Sequence, residues 1–306
     1  MLCTCRSKSI SMIGFWKCAQ ALVQSTATLL LLLLALAPPA GSAAQHNPNR
    51  SEGGAHCKPM SASFWSASAR SPNGITFEIL GTVHGARPAV TDVASARCWI
   101  ERFDLVMLEV HPSVPQTEAN HGYRPCVDDR GVRLWHVAIL RSFQSIYRWA
   151  ALRPIPTLEN VAGETSARLA GFENPASQLA MLDKVSCDVQ ARMLEQAVAD
   201  AQSGAATRSV IRLIRAYDQN RIAELEDVMQ SLGNDDLCNC KGIVEPIMFD
   251  ERNARFSDVM TALAAPTRGK VLVLVGIGHL FGRNSLLNHL RRAGFKVGPL
   301  SHKWTN

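Results

Sequence analysis

KVLVLVGIGHLFG, residues 270–282, is an apolar run that gives way to glycine-rich backbone with a histidine, His279, in it. The run reads as a buried strand, and the glycines mark a turn at its end. Glycines after a strand most often cradle phosphate. Gly276 and Gly278 do supply G-x-G, but the third glycine, Gly282, comes one position late. The following "FKVG" offers no Asp or Glu for a ribose hydroxyl, and that acid is the other half of the dinucleotide fingerprint. No G-x-x-x-x-G-K-[ST] occurs either, so the nucleotide reading is set aside.

A second stretch has the same shape. "EILGTVH" and "LVLVGIGH" each end an apolar strand in Gly-x-x-His, giving Gly81 with His84 and Gly276 with His279. Glycine lets the chain bend as it leaves the strand. Each imidazole then stands beyond the carboxyl end, where open α/β sheets bind ligands. "DLVMLEVH" is a near-continuous apolar run that brings Glu109 to the corresponding end of a third strand. Two His and one Glu suit a divalent cation with open positions, and they equally suit a metal-free acid–base site.

The strand "ITFEILG", a helix from Thr91 or Asp92 to about Phe103, and "DLVMLEVH" make a βαβ unit, hence two parallel strands. The chain closes with another: "VLVLVG", then "NSLLNHLRRAG" with an Asn or Ser cap and Gly294 as its stop, then "FKVGPL". Between them, about 128–264 repeats apolar residues at helical spacing, with "ARLAGFEN" a candidate strand before Pro175 opens a helix. The expected class is α/β, a mostly parallel sheet built from βαβ units at both ends around a helical insert. One domain covers 73–300, with 301–306 as a tail.

The N-terminus has a basic start (Arg6, Lys8, Lys17), the apolar run "ATLLLLLLALA" and a small-residue stretch. That is the order of a signal peptide cleaved after Ala44. The competing reading is an uncleaved membrane anchor, but a spanning helix needs about 20 mostly apolar residues, and extending this run backwards takes in Gln20, Gln24, Ser25 and Thr26. Periplasmic or secreted location follows, with no membrane association after cleavage. Residues 45–72, rich in Ser, Ala, Pro, Asn and Gly, read as a flexible lead-in.

Losing the leader lowers the net charge from +6 to +3. The remaining Arg and Lys are scattered, which argues against nucleic acid as a partner. Of nine cysteines, Cys57, Cys98, Cys126, Cys187, Cys238 and Cys240 remain. An even number in an exported chain points to disulfides, of undetermined pairing. The single Cys-x-Cys, 238–240, is a weak zinc signal.

Together, "ILGTVHGARP", "LVMLEV", "FENPASQLAMLD", "DERNARFSDVM" and "VLVGIGHLFGRNSLLNHLRRAGFKV" resemble the TraB/GumN family, in order from about residue 75 to 298. This family is similar to the Tiki metalloproteases and, more distantly, to the erythromycin esterase and ChaN-like proteins. The resemblance implies a metal-dependent hydrolase, a peptidase by analogy with Tiki, using manganese or cobalt. By position it assigns His84, His279 and Glu109 to the metal, and Glu109, Glu173, Arg252 and Asn253 to catalysis. Gly81, Gly276 and Gly278 are the turn glycines. "FENP" departs from the family's usual Leu-Glu-Thr, and His111 beside Glu109 is an extra candidate ligand. From the residues alone, Glu173 equally suits a helix N-terminus, and Arg252 an ion pair with Asp250, Glu251 or Asp258 on a solvated face. The expected partner is a peptide or small-molecule substrate. The rival reading is a non-catalytic periplasmic haem- or metal-binding protein using the same histidines, as ChaN-like relatives suggest.

Overall fold

The computed structural model describes residues 64–83, 93–110, 125–151, 157–231, 240–264 and 269–302. Among them, strands β1 (Trp65–Arg70), β2 (Thr76–Thr82), β3 (Leu105–Val110), β4 (Leu169–Glu173), β5 (Lys270–Gly276) and β6 (Lys296–Val297) form one sheet in the order β4-β3-β5-β2-β1-β6. The first four in that order are parallel to their neighbours, while β1 is antiparallel to β2 and β6 to β1. Every strand but β1 therefore runs one way, which is the mostly parallel α/β sheet expected.

The alternation along β5 explains its central place. Val271, Val273 and Val275 enter one apolar layer with Phe77, Ile79 and Met107. Leu272 and Leu274 enter the other with Leu80, Val106 and Leu108. A strand with apolar side chains on both faces gains most where both faces are covered, at about 1.5–3 kcal/mol per buried side chain.

In chain order the helices are α1 (Val93–Ile100), α2 (Leu134–Ala151), α3 (Leu158–Gly163), α4 (Pro175–Leu182), α5 (Cys187–Ser203), α6 (Ala205–Asp218), α7 (Ile222–Ser231), α8 (Lys241–Glu245), α9 (Glu251–Leu263) and α10 (Leu286–Arg292). Helices α1 and α3 cover the leucine face of β5 through Trp99, Ile100, Leu158 and Val161. Helices α6, α7, α9 and α10 cover the valine face through Tyr217, Leu225, Phe256, Met260 and Leu290. A smaller cluster of Trp135, Leu182, Val185, Val189 and Cys240 joins α2, α4, α5 and the start of α8.

Local signals are obeyed. Asn174 caps α4, accepting from the Ser177 N–H at 2.7 Å, with Pro175 in the first turn. Ser285 caps α10, and Gly294, with φ 86°, follows its end. "ARLAGFEN" contains β4, as anticipated.

Strands β2 and β3 run parallel, as expected, with β5 lying between them. Chain order does not fix lateral order, and the doubly apolar β5 takes the centre. Three expectations need correction. Residues 65–70, placed in a flexible lead-in, are strand β1, which forms a hairpin with β2 through a turn with Gly74 at φ 90°. Small polar residues concealed it. A ladder is made by backbone groups, and Phe64 and Trp65 anchor its start at 0% and 1% exposure.

"FKVGPL" contributes only the two residues of β6 to a strand, because Gly298 and Pro299 follow at once. Ser301, placed in the tail, exchanges both backbone hydrogen bonds with Ser66, at 2.7 and 2.8 Å, and so extends the pairing of β1.

Cys126 and Cys187 form a disulfide that ties the loop before α2 to the first residue of α5. Cys98 and Cys240 are each in a disulfide as well, while Cys57 and Cys238 lie outside the described residues. No described helix is long and apolar enough to cross a membrane; residues 1–44, expected to be a signal peptide, lie outside the described residues.

Candidate active site

Three adjacent parallel strands deliver the site from their carboxyl ends. Glu109 is next to last in β3, Glu173 is the last residue of β4, and His279 lies in a 3₁₀ turn, Ile277–Leu280, directly after β5. Helix α9 closes the group from above with Arg252 and Asn253. Their orientation depends on a π turn, Pro246–Asp250, between α8 and α9, where the Glu251 N–H reaches back to the Pro246 carbonyl. Pro246 has no N–H to give and crowds the preceding turn. The extra residue in the turn re-registers the helix, so that Arg252 and Asn253 point to the sheet at 2% and 1% exposure.

The guanidinium of Arg252 uses all five of its N–H donors. Nε donates to Glu173 Oε2 at 3.0 Å. Nη2 donates to the same oxygen at 2.8 Å and to Glu109 Oε1 at 2.5 Å. Nη1 donates to the Met248 carbonyl at 3.3 Å and faces His279 Nε2 at 3.2 Å. Arg252 therefore pairs with carboxylates on two strands, and not with Asp250, Glu251 or Asp258; Glu251 pairs with Lys184 at 2.7 Å.

The direction of these bonds fixes the histidine tautomer. Arg252 can only donate, so His279 Nε2 presents its lone pair. The proton is then on Nδ1, 2.7 Å from Asn253 Oδ1. The Asn253 amide is oriented in turn by Nδ2 donating to the Asn284 carbonyl at 2.8 Å, and Asn284 Nδ2 donates to Asp250 Oδ2 at 2.7 Å. Phe249 and Phe256 pack on the imidazole at centroid distances of 5.4 and 5.1 Å.

The carboxylates are equally engaged. Glu109 Oε1 also accepts from Gln178 Nε2 at 3.2 Å, and Oε2 accepts from the Gly276 N–H at 3.0 Å. Glu173 Oε1 accepts from Arg255 Nη2 at 2.6 Å. Burial alone would raise the Glu109 carboxyl, but the Arg252 guanidinium bonded to Oε1 helps hold the group well below the usual carboxylate range. Burial works against the Arg252 charge too, and Glu109 and Glu173 reverse it, raising Arg252 above its ordinary value. Glu109 keeps 21% of its side chain exposed, so it is the site's most accessible acid, against 3% for Glu173. On the other side of Glu173 a cleft of about 320 Å³ opens between Phe172, Asn174, Ser177, Arg255 and Val259.

Of the residues expected at the site, Glu109, Glu173, Arg252, Asn253 and His279 meet. His84 and His111 lie outside the described residues. None of Gly81, Gly276 and Gly278 has a positive φ; Gly81 and Gly278 are needed for close approach, while a Cβ on Gly276 would come within 3.3 Å of Glu109 Oε2. A Cβ on Gly81 would lie 2.3 Å from Ile277 Cδ1, and one on Gly278 would lie 2.6 Å from Phe249 Cε1.

Gln178, Arg255 and Asn284 were not singled out by sequence reasoning. Arg255 follows Arg252 by one helical turn, which is the one signal that could have placed it beside the same carboxylate.

A divalent cation needs free lone pairs. His279 Nε2 and Glu109 Oε1 lie 3.7 Å apart, close enough to share an ion. Both, however, already face the Arg252 guanidinium, and Glu173 is bound by two arginines. As arranged, the described residues do not fit the expected metal, and no group of three or more His, Cys, Asp or Glu among them could hold one.

Residues 156–299 match the sequence model of the TraB/PrgY/gumN family, and the match supports assigning the chain to that family. It takes in Glu173, Arg252, Asn253 and His279 and begins after Glu109. No match was found among curated proteins or among solved structures.

Proposed function

We propose that this member of the TraB/PrgY/gumN family is an exported hydrolase of a peptide or related acyl bond, with His279 as its acid–base group. One observation carries the reading. A neutral histidine of fixed tautomer, an ionised carboxylate and a buried arginine converge where three parallel strands end. The disulfide Cys126–Cys187 supports export, since such bonds persist in oxidising compartments.

The chemistry follows from the donors and acceptors present. A water seated beside His279 and Glu109 gives one hydrogen to the Glu109 carboxylate. As a substrate carbonyl enters, Arg252 Nη1 turns its N–H from His279 to the developing oxyanion, and the freed Nε2 takes the water proton. Glu109, beside the imidazole, stabilises the imidazolium, and Asn253 keeps Nδ1 in place. Collapse of the tetrahedral species returns the proton from Nε2 to the leaving group. The cleft beside Glu173 has room for a substrate side chain. A haem- or metal-binding role would need an open imidazole, and His279 is 2% exposed with both nitrogens engaged.

The test is incubation of the purified chain with peptide and ester libraries, read by mass spectrometry. Cleavage that disappears in both Glu109→Gln and His279→Ala is expected. No cleavage by the wild type, or cleavage that survives in both variants, overturns the reading. A Soret band on haem addition, lost in His279→Ala, would restore the binding role.

A further inference from the structure

We propose that Arg252 is the resident cation of this site: its guanidinium fills the seat between Glu109, Glu173 and His279, and no divalent metal binds there. Three independent features place it there. The first is donor count, since all five N–H groups are engaged, on four acceptor atoms, and none is left to be displaced without loss. The second is charge. Two carboxylates, Glu109 and Glu173, face two guanidiniums, Arg252 and Arg255, so among the described residues these charges already balance. A divalent ion would add two uncompensated charges beside a guanidinium whose side chain is 3% exposed.

The third is the histidine. Asn253 holds the proton on Nδ1, so Nε2 carries the one available lone pair, and that lone pair faces Arg252 at 3.2 Å. A metal could use Nε2 only by evicting the arginine, whose planar fork is anchored on two strands at once. Removing the guanidinium while keeping the rest leaves one imidazole and two carboxylates around a vacated position, a donor set suited to a first-row divalent cation.

This inference concerns binding, and it holds whether or not the site hydrolyses an acyl bond. The test is equilibrium dialysis of the purified wild-type chain, Arg252→Ala and Arg252→Lys against cobalt(II) and manganese(II), with bound metal counted by atomic emission. Visible absorption reports cobalt coordination. Wild type and Arg252→Lys should hold no metal that depends on Glu109 or His279. Arg252→Ala should gain one equivalent of cobalt with a visible band, and adding His279→Ala should abolish it.

One equivalent bound by the wild type and lost in Glu109→Gln or His279→Ala overturns the proposal. So does a folded Arg252→Ala, judged by circular dichroism, that binds nothing. Should Arg252→Ala not fold, the wild-type measurement alone decides.

Discussion

Replacing Arg252 with methionine should cost the fold about 3 kcal/mol at neutral pH, and the loss should shrink in acid. Methionine fills most of the volume and supplies none of the five donors, so the change isolates the charge and its bonds. Breaking a buried ion pair by removing one partner costs about 3–5 kcal/mol, because the other charge stays buried and uncompensated. Here the lower end applies. Glu173 keeps Arg255 on Oε1 at 2.6 Å, and Glu109 keeps the Gly276 N–H at 3.0 Å and is 21% exposed.

The pH dependence has a definite sign. The Glu109 carboxyl is depressed in the folded chain, so its contribution is present above the unfolded value, about 4.3, and is lost as pH falls through the folded one. Denaturant unfolding of wild type and Arg252→Met at neutral pH and again near pH 3 measures both quantities. A loss under about 1 kcal/mol at neutral pH would place the pair in the class of exposed salt bridges. A loss of the same size at both pH values would refute the assignment of that stability to an ionised Glu109.

Three further outcomes are expected. Asn253→Leu should leave the buried His279 Nδ1–H without its acceptor at a cost of about 1–3 kcal/mol, measured by denaturant unfolding; nitrogen chemical shifts of His279 should still show the Nδ1-protonated tautomer, because Arg252 continues to donate to Nε2. Gly278→Ala should lose about 1–3 kcal/mol by overpacking, since the new Cβ would lie 2.6 Å from Phe249 Cε1 and 2.9 Å from Met229 Cε, and thermal melts measure it. The double replacement Cys126→Ser, Cys187→Ser reopens a loop with a sequence separation of 61, worth about 4 kcal/mol by the loop-entropy relation, and equilibrium denaturation should show a loss of that order.

Much of the scaffold was legible because it depends on short-range chemistry. Val271 to Val275 announce a strand covered on both faces, and Asn174 with Pro175, Ser285 and Gly294 announce helix ends. Strand β1 was not legible, because "WSASAR" contributes backbone to a ladder and only its Trp65 end is large and apolar. At the site, the echo of Gly-x-x-His pointed to His279, and the apolar run before Glu109 pointed to a strand end. The partners of Arg252 were not readable, since its neighbours in sequence include three acids that it does not use.

The sequence by itself therefore determined which side chains stand at strand ends, because periodicity, caps and glycines act over a few residues. Tertiary structure alone decided what those side chains do to one another. Lateral strand order put β5 beside β3, and with it His279 3.7 Å from Glu109. A π turn before α9 then aimed Arg252 at carboxylates 143 and 79 residues away in the chain. Burial made that meeting decisive: once water is excluded, charges and lone pairs must find protein partners, and Glu109, Glu173 and His279 each found the same guanidinium.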